Sequence, residues 1–287
     1  MEVYKLVEIC ILLIITLCII GIIYLKYNRN RNFDFGKEGV KLPNYADIPL
    51  FRDIPCDGDL YRAYWVAYEY NIIDFNESRN GLIGAILLKL LKENRIKIIP
   101  NEENNHNYGI DISMLEYTDN VAENEFIDML KKSAGENLII ENDEFKDWCN
   151  SNYLIIDRFY TKVIRYETRN LIKDGYIKQI RKGRKIKNVV DSKLKQEAIN
   201  LYGLKKFLAS YSLIDEREIK EVHIWDEYLI YAQLFGMADK VSDQLSKIYP
   251  NMRFDSKYNS NTFMTFICDI ILSIIEYFES NKTEVIE

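Results

Sequence analysis

The chain has 287 residues, 48% hydrophobic and 29% charged, with a formal net charge of -6 at pH 7. This acidic balance argues against a protein built mainly to bind nucleic acid. The five cysteines show no CxxC spacing, and neither of the two histidines has a Cys or His neighbour at ligand spacing. A disulfide framework and a structural metal site are therefore not predicted, and we expect no cofactor.

The first predicted element is an apolar run from Ile9 to Leu25 that contains no charged residue. In a helix, at about 1.5 Å per residue, it nearly crosses the roughly 30 Å hydrocarbon core of a bilayer, so residues 1–27 are predicted to be a transmembrane anchor. A cleaved signal peptide is the alternative, but its usual basic start and small-x-small cleavage site are missing. Lys26, Arg29 and Arg31 follow the run, which predicts a body on the cytoplasmic side.

Behind the predicted span, residues 28–55 carry three prolines and no sustained apolar periodicity, which predicts a linker. Two units of similar layout come next. Each has helices with apolar residues at helical spacing, then two short β-type runs across a polar turn, as in a winged helix and its wing. They are residues 56–118, with strands in RIKIIP and GIDISML, and residues 119–191, with strands in GYIKQI and KIKNVV.

The rest of the chain is predicted to be helical. Residues 192–250 form a helical region with two apolar stripes, and residues 251–287 an amphipathic helix, Phe263 to Phe278, with a polar tail. That helix is too short and too charged to span a bilayer and its polar face is acidic, so we expect it to pack on protein. The predicted fold class is mainly α with small β-hairpins: an N-terminal transmembrane helix, two winged-helix-like units and a C-terminal helical region.

Four stretches of the sequence resemble one bacterial protein family. They are RDIPCDGDLYRAYW from Arg52, GLIGAILLKLLKENRI from Gly81, EFKDWC from Glu144, and the long block from Gly203 to Val241. The family consists of predicted membrane proteins labelled domain of unknown function 2207, and the resemblance is to its cytoplasmic C-terminal region. It implies membrane attachment and a helix-rich cytosolic body, and it brings no established activity and no catalytic residues.

Two groups of residues are candidates for chemistry. Cys56 lies with Asp57 and Asp59 before the first helix of the body, where the pKa of a thiol can fall. The two carboxylates oppose such a fall, and a turn with Asp59 as helix cap is the simpler interpretation. His223 has acidic residues three and four positions on, an arrangement that often arises by accident. Motifs for nucleotide hydrolysis, ester hydrolysis and zinc proteolysis are missing, so no enzyme is predicted.

The strongest charge asymmetry lies between Arg158 and Lys187, where eleven basic residues stand against two acidic ones. Each basic residue beside a negative inner leaflet contributes about 1 kcal/mol, so we predict binding of anionic lipid headgroups at the second hairpin. The predicted lipid- or anion-binding residues are Arg181, Lys182, Arg184, Lys185 and Lys187. A hairpin that is merely solvated and one that binds nucleic acid are the alternatives.

Two classes of function stay open. The first is a membrane-anchored cytoplasmic interaction module without enzymatic activity, a platform for a protein partner or for a second copy of the chain. The second is a membrane-tethered winged-helix transcription regulator. The predicted partners are the lipid bilayer through residues 9–25, anionic lipid headgroups, and an unidentified protein or self-association, with nucleic acid a weaker alternative.

Overall fold

The computed structural model describes residues 33–36, 39–73, 75–100, 108–182, 185–210 and 225–237. The predicted span at residues 9–25, His223 and the predicted helix at residues 263–278 lie outside these ranges. Within the described residues, no helix is long and apolar enough to cross a membrane.

Seven α-helices and six short strands make up the described chain, which confirms a mainly α fold with small sheets. The helices are α1 (Leu60–Glu69), α2 (Phe75–Lys92), α3 (Val121–Ser133), α4 (Asn142–Ser151), α5 (Tyr153–Lys173), α6 (Ser192–Ala209) and α7 (Trp225–Leu234). The strands are β1 (Phe33–Asp34), β2 (Lys97–Pro100), β3 (Tyr108–Asp111), β4 (Ile139–Glu141), β5 (Ile177–Lys182) and β6 (Lys185–Val190).

Side-chain caps fix where three of these helices begin. The carboxylate of Asp59 accepts the backbone N–H groups of Tyr61 and Arg62 at 2.9 and 3.1 Å, ahead of α1. Asn120 caps α3 and Asp191 caps α6 in the same way. Each cap satisfies N–H groups that have no partner within the helix, which contributes about 1 kcal/mol. The capping role predicted for Asp59 is confirmed.

Both predicted hairpins form, and each gains a third strand from elsewhere in the chain. Strands β2 and β3 are antiparallel, and β4 extends them with Ile140 opposite Ile110. Strands β5 and β6 are antiparallel, and β1 joins β6 in parallel with Asp34 opposite Val189. The two sheets therefore have the strand orders β2-β3-β4 and β1-β6-β5.

This arrangement does not show two separate winged-helix units in the described residues. Strand β4 lies in the predicted second unit, yet it pairs with β3 of the predicted first unit. One cluster of buried side chains also runs from Cys56 to Phe235, across the predicted boundary at residue 118. The sequence does not indicate this pairing, because a three-residue strand is too short to leave a periodic pattern.

The described part of the predicted linker, residues 33–36 and 39–55, lies against the body, and we refer to it as the N-terminal segment. The ring of Phe33 meets Trp65 edge-on at 5.5 Å. Further along, the Lys206 ammonium donates to the backbone carbonyl oxygens of Tyr45, Ala46 and Ile48 at 3.0, 3.2 and 2.8 Å. The backbone groups of this segment are satisfied by side chains from distant parts of the chain. Such a segment shows no periodic pattern of apolar residues, so its sequence resembles that of a linker.

The N-terminal segment packs against α6 at Gly203. A Cβ atom on Gly203 would lie 2.5 Å from the Pro49 carbonyl oxygen and 2.9 Å from Cβ of Phe51. In an open helix, alanine would be more stable than glycine by about 0.5–1 kcal/mol. We expect Gly203→Ala instead to lower the free energy of unfolding by about 1–3 kcal/mol, because the backbone of the N-terminal segment must move away.

Denaturant unfolding measures this effect. Lys193→Ala, at an exposed position on the same helix, is the control and should change stability by less than about 0.5 kcal/mol. A Gly203→Ala variant that is as stable as the parent, or more stable, would show that the segment does not pack on α6 in this way.

Candidate lipid-facing surface

The residues predicted to bind anions belong to the β5–β6 hairpin. The structure places Arg181 and Lys187 at exposed positions of the two strands. Lys182 and Lys185 are opposite each other as the last pair of the ladder. Arg184 lies outside the described residues. Four of the five predicted residues are thus brought to the outer half of one hairpin.

Side chains alternate between the two faces of this hairpin. Lys178, Ile180 and Lys187 share one face, since Ile180 is opposite Lys187 and Lys178 is two positions before Ile180. Arg181 and Ile186 are opposite each other on the second face. Ile180 is 44% exposed and Ile186 is 64% exposed. Each face therefore combines basic and exposed aliphatic side chains.

The inner end of the hairpin belongs to the core. Ile177 and Val190 are opposite each other there, and both are buried. The next pair on that face is joined by a hydrogen bond of 3.1 Å, which the Gln179 side-chain amide donates to the Asn188 oxygen. The base of the hairpin is thus fixed to the core, and the exposed residues Ile180, Arg181, Ile186 and Lys187 lie beyond it.

Strand β1 covers the outer edge of β6. Phe33 is opposite Asn188 and Asp34 is opposite Val189. The carboxylate of Asp34 also pairs with the Lys187 ammonium at 2.6 Å. Lys187, one of the five predicted anion-binding residues, therefore has a carboxylate partner within the chain, and this carboxylate competes with any external anion for its ammonium group.

A row of basic residues on α5 leads towards this hairpin, and the predicted site omitted it. The row consists of Arg158, Lys162, Arg165, Arg169 and Lys173. Successive members are three or four residues apart, so they share one side of the helix. All are exposed except Lys162, which is partly buried and pairs with Glu125 at 2.6 Å. Since the single carboxylate in this stretch, Glu167, is buried, the exposed charge is positive throughout.

Cys56 does not offer a reactive thiol. It is buried, and its backbone N–H donates to the Glu197 carboxylate at 2.8 Å. Burial, reinforced by the charge of Glu197, raises the pKa of the Cys56 thiol well above its ordinary value. A protonated, buried thiol is a poor nucleophile, which supports the simpler interpretation of Cys56, Asp57 and Asp59 as a capped turn. Among the described residues, no group of His, Cys, Asp and Glu is arranged to hold a metal ion.

Arg62 links this turn to α5. Its Nε atom lies 3.3 Å from an oxygen of Glu167, and its Nη2 atom lies 2.6 Å from Asp174. Glu167 is only 2% exposed. Burial, together with the charge of Asp59, raises the pKa of Glu167 to about 7 in spite of Arg62. Glu167 is therefore a buried carboxyl group that titrates near neutral pH.

The pKa of Glu167 predicts a pH-dependent stability. Its value rises from 4.5 to about 7 on folding, so the folded state favours the protonated form. This contribution is fully present below about pH 4.5 and is lost as the pH rises through 7. Glu167→Gln mimics the protonated form and should gain about 2–3 kcal/mol relative to the parent between pH 5 and pH 8.

Denaturant unfolding of both chains at several pH values measures that gain. Glu125→Gln, at a more exposed position, is the control for the loss of a carboxylate charge. A difference between Glu167→Gln and the parent that stays constant with pH would contradict the raised pKa.

Comparisons with known proteins add one finding to this geometry. No curated protein and no solved structure matches the chain. A protein-family model described as the C-terminal domain of a predicted membrane protein (DUF2207) matches residues 188–245. The matched stretch starts in β6, beside the basic residues of the hairpin, and includes α6 and α7. The match confirms the resemblance for the block from Gly203 to Val241, so residues 188–245 are similar to the C-terminal domain of the DUF2207 predicted membrane proteins.

Proposed function

We propose that this protein is a membrane-anchored interaction module without enzymatic activity, with its body in the cytoplasm and its basic hairpin against the anionic headgroups of the same membrane. The description of the matching family as a predicted membrane protein supports the membrane location. The single observation that carries the proposal is the pairing of β1 with β6. That pairing joins the segment behind the predicted span to the basic hairpin.

The length of the intervening chain limits how far the hairpin can be from the bilayer. The predicted span ends at Leu25, and Phe33 of β1 follows eight positions later. At about 3.3–3.6 Å per residue, eight positions reach at most about 29 Å. Because Phe33 is opposite Asn188 in the sheet, the middle of the hairpin must lie within about that distance of the end of the span.

Charge favours one orientation of the body at this distance. The chain as a whole is acidic, with a formal net charge of -6, so an anionic leaflet repels most of its surface. The hairpin and the α5 row are the exception. Each basic residue near the surface contributes about 1 kcal/mol of attraction, which fades beyond a Debye length of about 8 Å at physiological salt. We refer to the hairpin and the α5 row together as the basic side. This side is therefore the one that turns towards the lipid.

An interaction module also needs a surface for a protein partner or for a second copy of the chain. Met114, Tyr117 and Val121 are large hydrophobic side chains exposed between β3 and the start of α3. Tyr117 is held in place by its hydroxyl, which donates to Asp128 at 2.6 Å, and by the Lys131 ammonium 4.4 Å from its ring. We assign the protein contact to these residues, since they lie within eight consecutive positions of the chain and exposed apolar side chains are typical of such contacts.

A membrane-tethered transcription regulator is the second candidate, and one observation favours it. A helix with a basic row, α5, is followed directly by a basic hairpin, which is the order of recognition helix and wing in a winged helix. This candidate requires the basic side to face DNA rather than lipid.

Hydrogen exchange on the full chain in lipid nanodiscs separates the two candidates. In discs with anionic lipid, amides of residues 177–190 should exchange more slowly than in zwitterionic discs, because lipid contact excludes water. The β2–β3 hairpin serves as the internal control and should exchange equally in both. Equal exchange of residues 177–190 in both discs would contradict the proposal. Protection of α5 and this hairpin by DNA of one particular sequence would favour the regulator.

A further inference from the structure

Two isoleucines stand out on the outer half of the basic hairpin. Ile186 is 64% exposed and Ile180 is 44% exposed, whereas Ile177 at the base of the same hairpin is buried. Strand positions that face water usually carry polar side chains, since an exposed isoleucine adds no burial to the fold. Both residues lie close to the end of the ladder, which points to a partner at the outer end of the hairpin.

The register places the two isoleucines at nearly the same position along the length of the hairpin. Ile186 belongs to the second pair from the end of the ladder and Ile180 to the third, so they are about one residue, or 3.4 Å, apart along the hairpin. They lie on opposite faces, with Arg181 beside Ile186 and Lys187 beside Ile180. A surface that meets the hairpin end-on therefore reaches the last pair, Lys182 and Lys185, first and both isoleucines just behind it. Long lysine stems let their charges stay at the headgroups while neighbouring apolar side chains go deeper.

An anionic bilayer is the partner that fits this combination. Amphipathic segments at a membrane surface bury apolar side chains about 5–10 Å into the boundary between headgroups and acyl chains, and they carry Lys and Arg at the level of the phosphates. The predicted span, eight positions before β1, keeps such a bilayer within reach of the hairpin.

We propose that the outer end of the β5–β6 hairpin penetrates the headgroup layer and that Ile180 and Ile186 contact the acyl chains of an anionic bilayer. This inference rests on the proposed function and goes beyond it, because attraction to headgroups alone requires no penetration. The two contributions differ in their dependence on salt. Added salt screens the attraction between charges, whereas it leaves the burial of isoleucine intact.

Tryptophan fluorescence in the full chain tests the penetration. The parent contains three tryptophans, whose emission is subtracted as background. Ile186→Trp and Ile180→Trp report on the two faces of the hairpin, and the exposure of both sites leaves room for the larger ring. Leu50→Trp is the matched control, because Leu50 is 51% exposed and lies outside the hairpin and outside the residues assigned to the protein contact. Each variant is reconstituted in anionic vesicles whose lipids carry bromine on the acyl chains or a nitroxide on the headgroup.

Penetration predicts that acyl-chain bromine quenches tryptophan at positions 186 and 180 at least about twofold more strongly than at position 50, at low and at high salt. Quenching by the headgroup nitroxide without quenching by bromine would overturn the inference and leave the proposed headgroup contact standing. No excess quenching by either probe at the hairpin positions would overturn both. Equal bromine quenching at all three positions would also overturn the inference, since it would not be specific to the hairpin.

Discussion

Replacing Glu123 with alanine is expected to lower the free energy of unfolding by about 2–4 kcal/mol, the loss typical of a buried carboxylate removed from its partners. Glu123 is buried on α3. Its carboxylate accepts from the Lys89 ammonium at 2.6 Å and from the Tyr61 hydroxyl at 3.4 Å, and it pairs with Arg95. The alanine variant leaves both cations partly buried with only the more exposed Glu93 as a carboxylate partner, and this loss is the source of the cost.

Acid should weaken the same interaction. Burial opposes ionisation of Glu123, but the hydrogen bonds from Lys89 and Arg95 outweigh it and lower the pKa of Glu123 below 4.5. A lowered pKa stabilises the folded state above about pH 4.5, and this contribution is lost as the pH falls through the folded-state value. Glu123 and Glu167 therefore respond to pH in opposite directions.

Denaturant unfolding at neutral and acid pH measures the Glu123 effect. Glu125→Ala, two residues further along α3, is the control. Glu125 pairs with Lys162, but both side chains are partly exposed, so its loss should cost no more than about 1 kcal/mol. Equal losses for the two variants would show that the Glu123 cluster is no stronger than a surface ion pair.

Replacing Arg181, Lys182, Arg184 and Lys185 with serine is expected to weaken binding of the body, residues 33–287, to anionic vesicles by about a hundredfold or more. About 1 kcal/mol for each basic residue, and 1.4 kcal/mol for each factor of ten, set this scale. Cosedimentation with vesicles measures it. Binding of the parent should fall as salt is added, because charges become screened beyond about 8 Å at 0.15 M.

A matched pair of double variants tests whether position matters as well as charge. Lys178→Ser with Arg181→Ser removes two charges from the hairpin. Lys97→Ser with Lys132→Ser removes two charges at exposed positions on β2 and α3. We expect the first pair to weaken binding at least about tenfold and the second to leave it nearly unchanged. Vesicle binding that is unchanged by all these substitutions and by salt would show that the hairpin is only solvated and does not bind lipid.

The sequence predicts those parts of the fold whose signals are local. The helices follow from apolar residues at helical spacing, and the cap at Asp59 lies where its residue type predicts it. The β5–β6 hairpin follows from two β-type runs across a turn with Gly183. These elements need only neighbours within a few positions, and the structure confirms them.

The remaining features depend on contacts between residues far apart in the chain. Strand β1 has two residues and β4 has three, too few to show an alternating pattern. The burial of Glu167 depends on Arg62, more than a hundred positions earlier, and nothing near Glu167 in the sequence indicates it.

Prediction of the candidate site is limited in the same way. The five basic hairpin residues stand out by charge alone, whereas the pairing of Lys187 with Asp34 depends on strand β1. The α5 row, unlike the pairing of Lys187 with Asp34, needs no distant contact to be recognised. The spacing of Arg158, Lys162 and Arg165 is visible in the sequence, so the predicted site could have included them.

Photocrosslinking to lipid tests the central claim, contact between the basic hairpin and the membrane surface, most directly. A benzophenone amino acid replaces Lys178 in the full chain, which is then placed in anionic nanodiscs and irradiated. The control carries the same group at Lys132, an exposed position on α3. We predict lipid adducts at position 178 and few or none at position 132. Adducts at position 132 but not at position 178, or at neither position, would contradict the account.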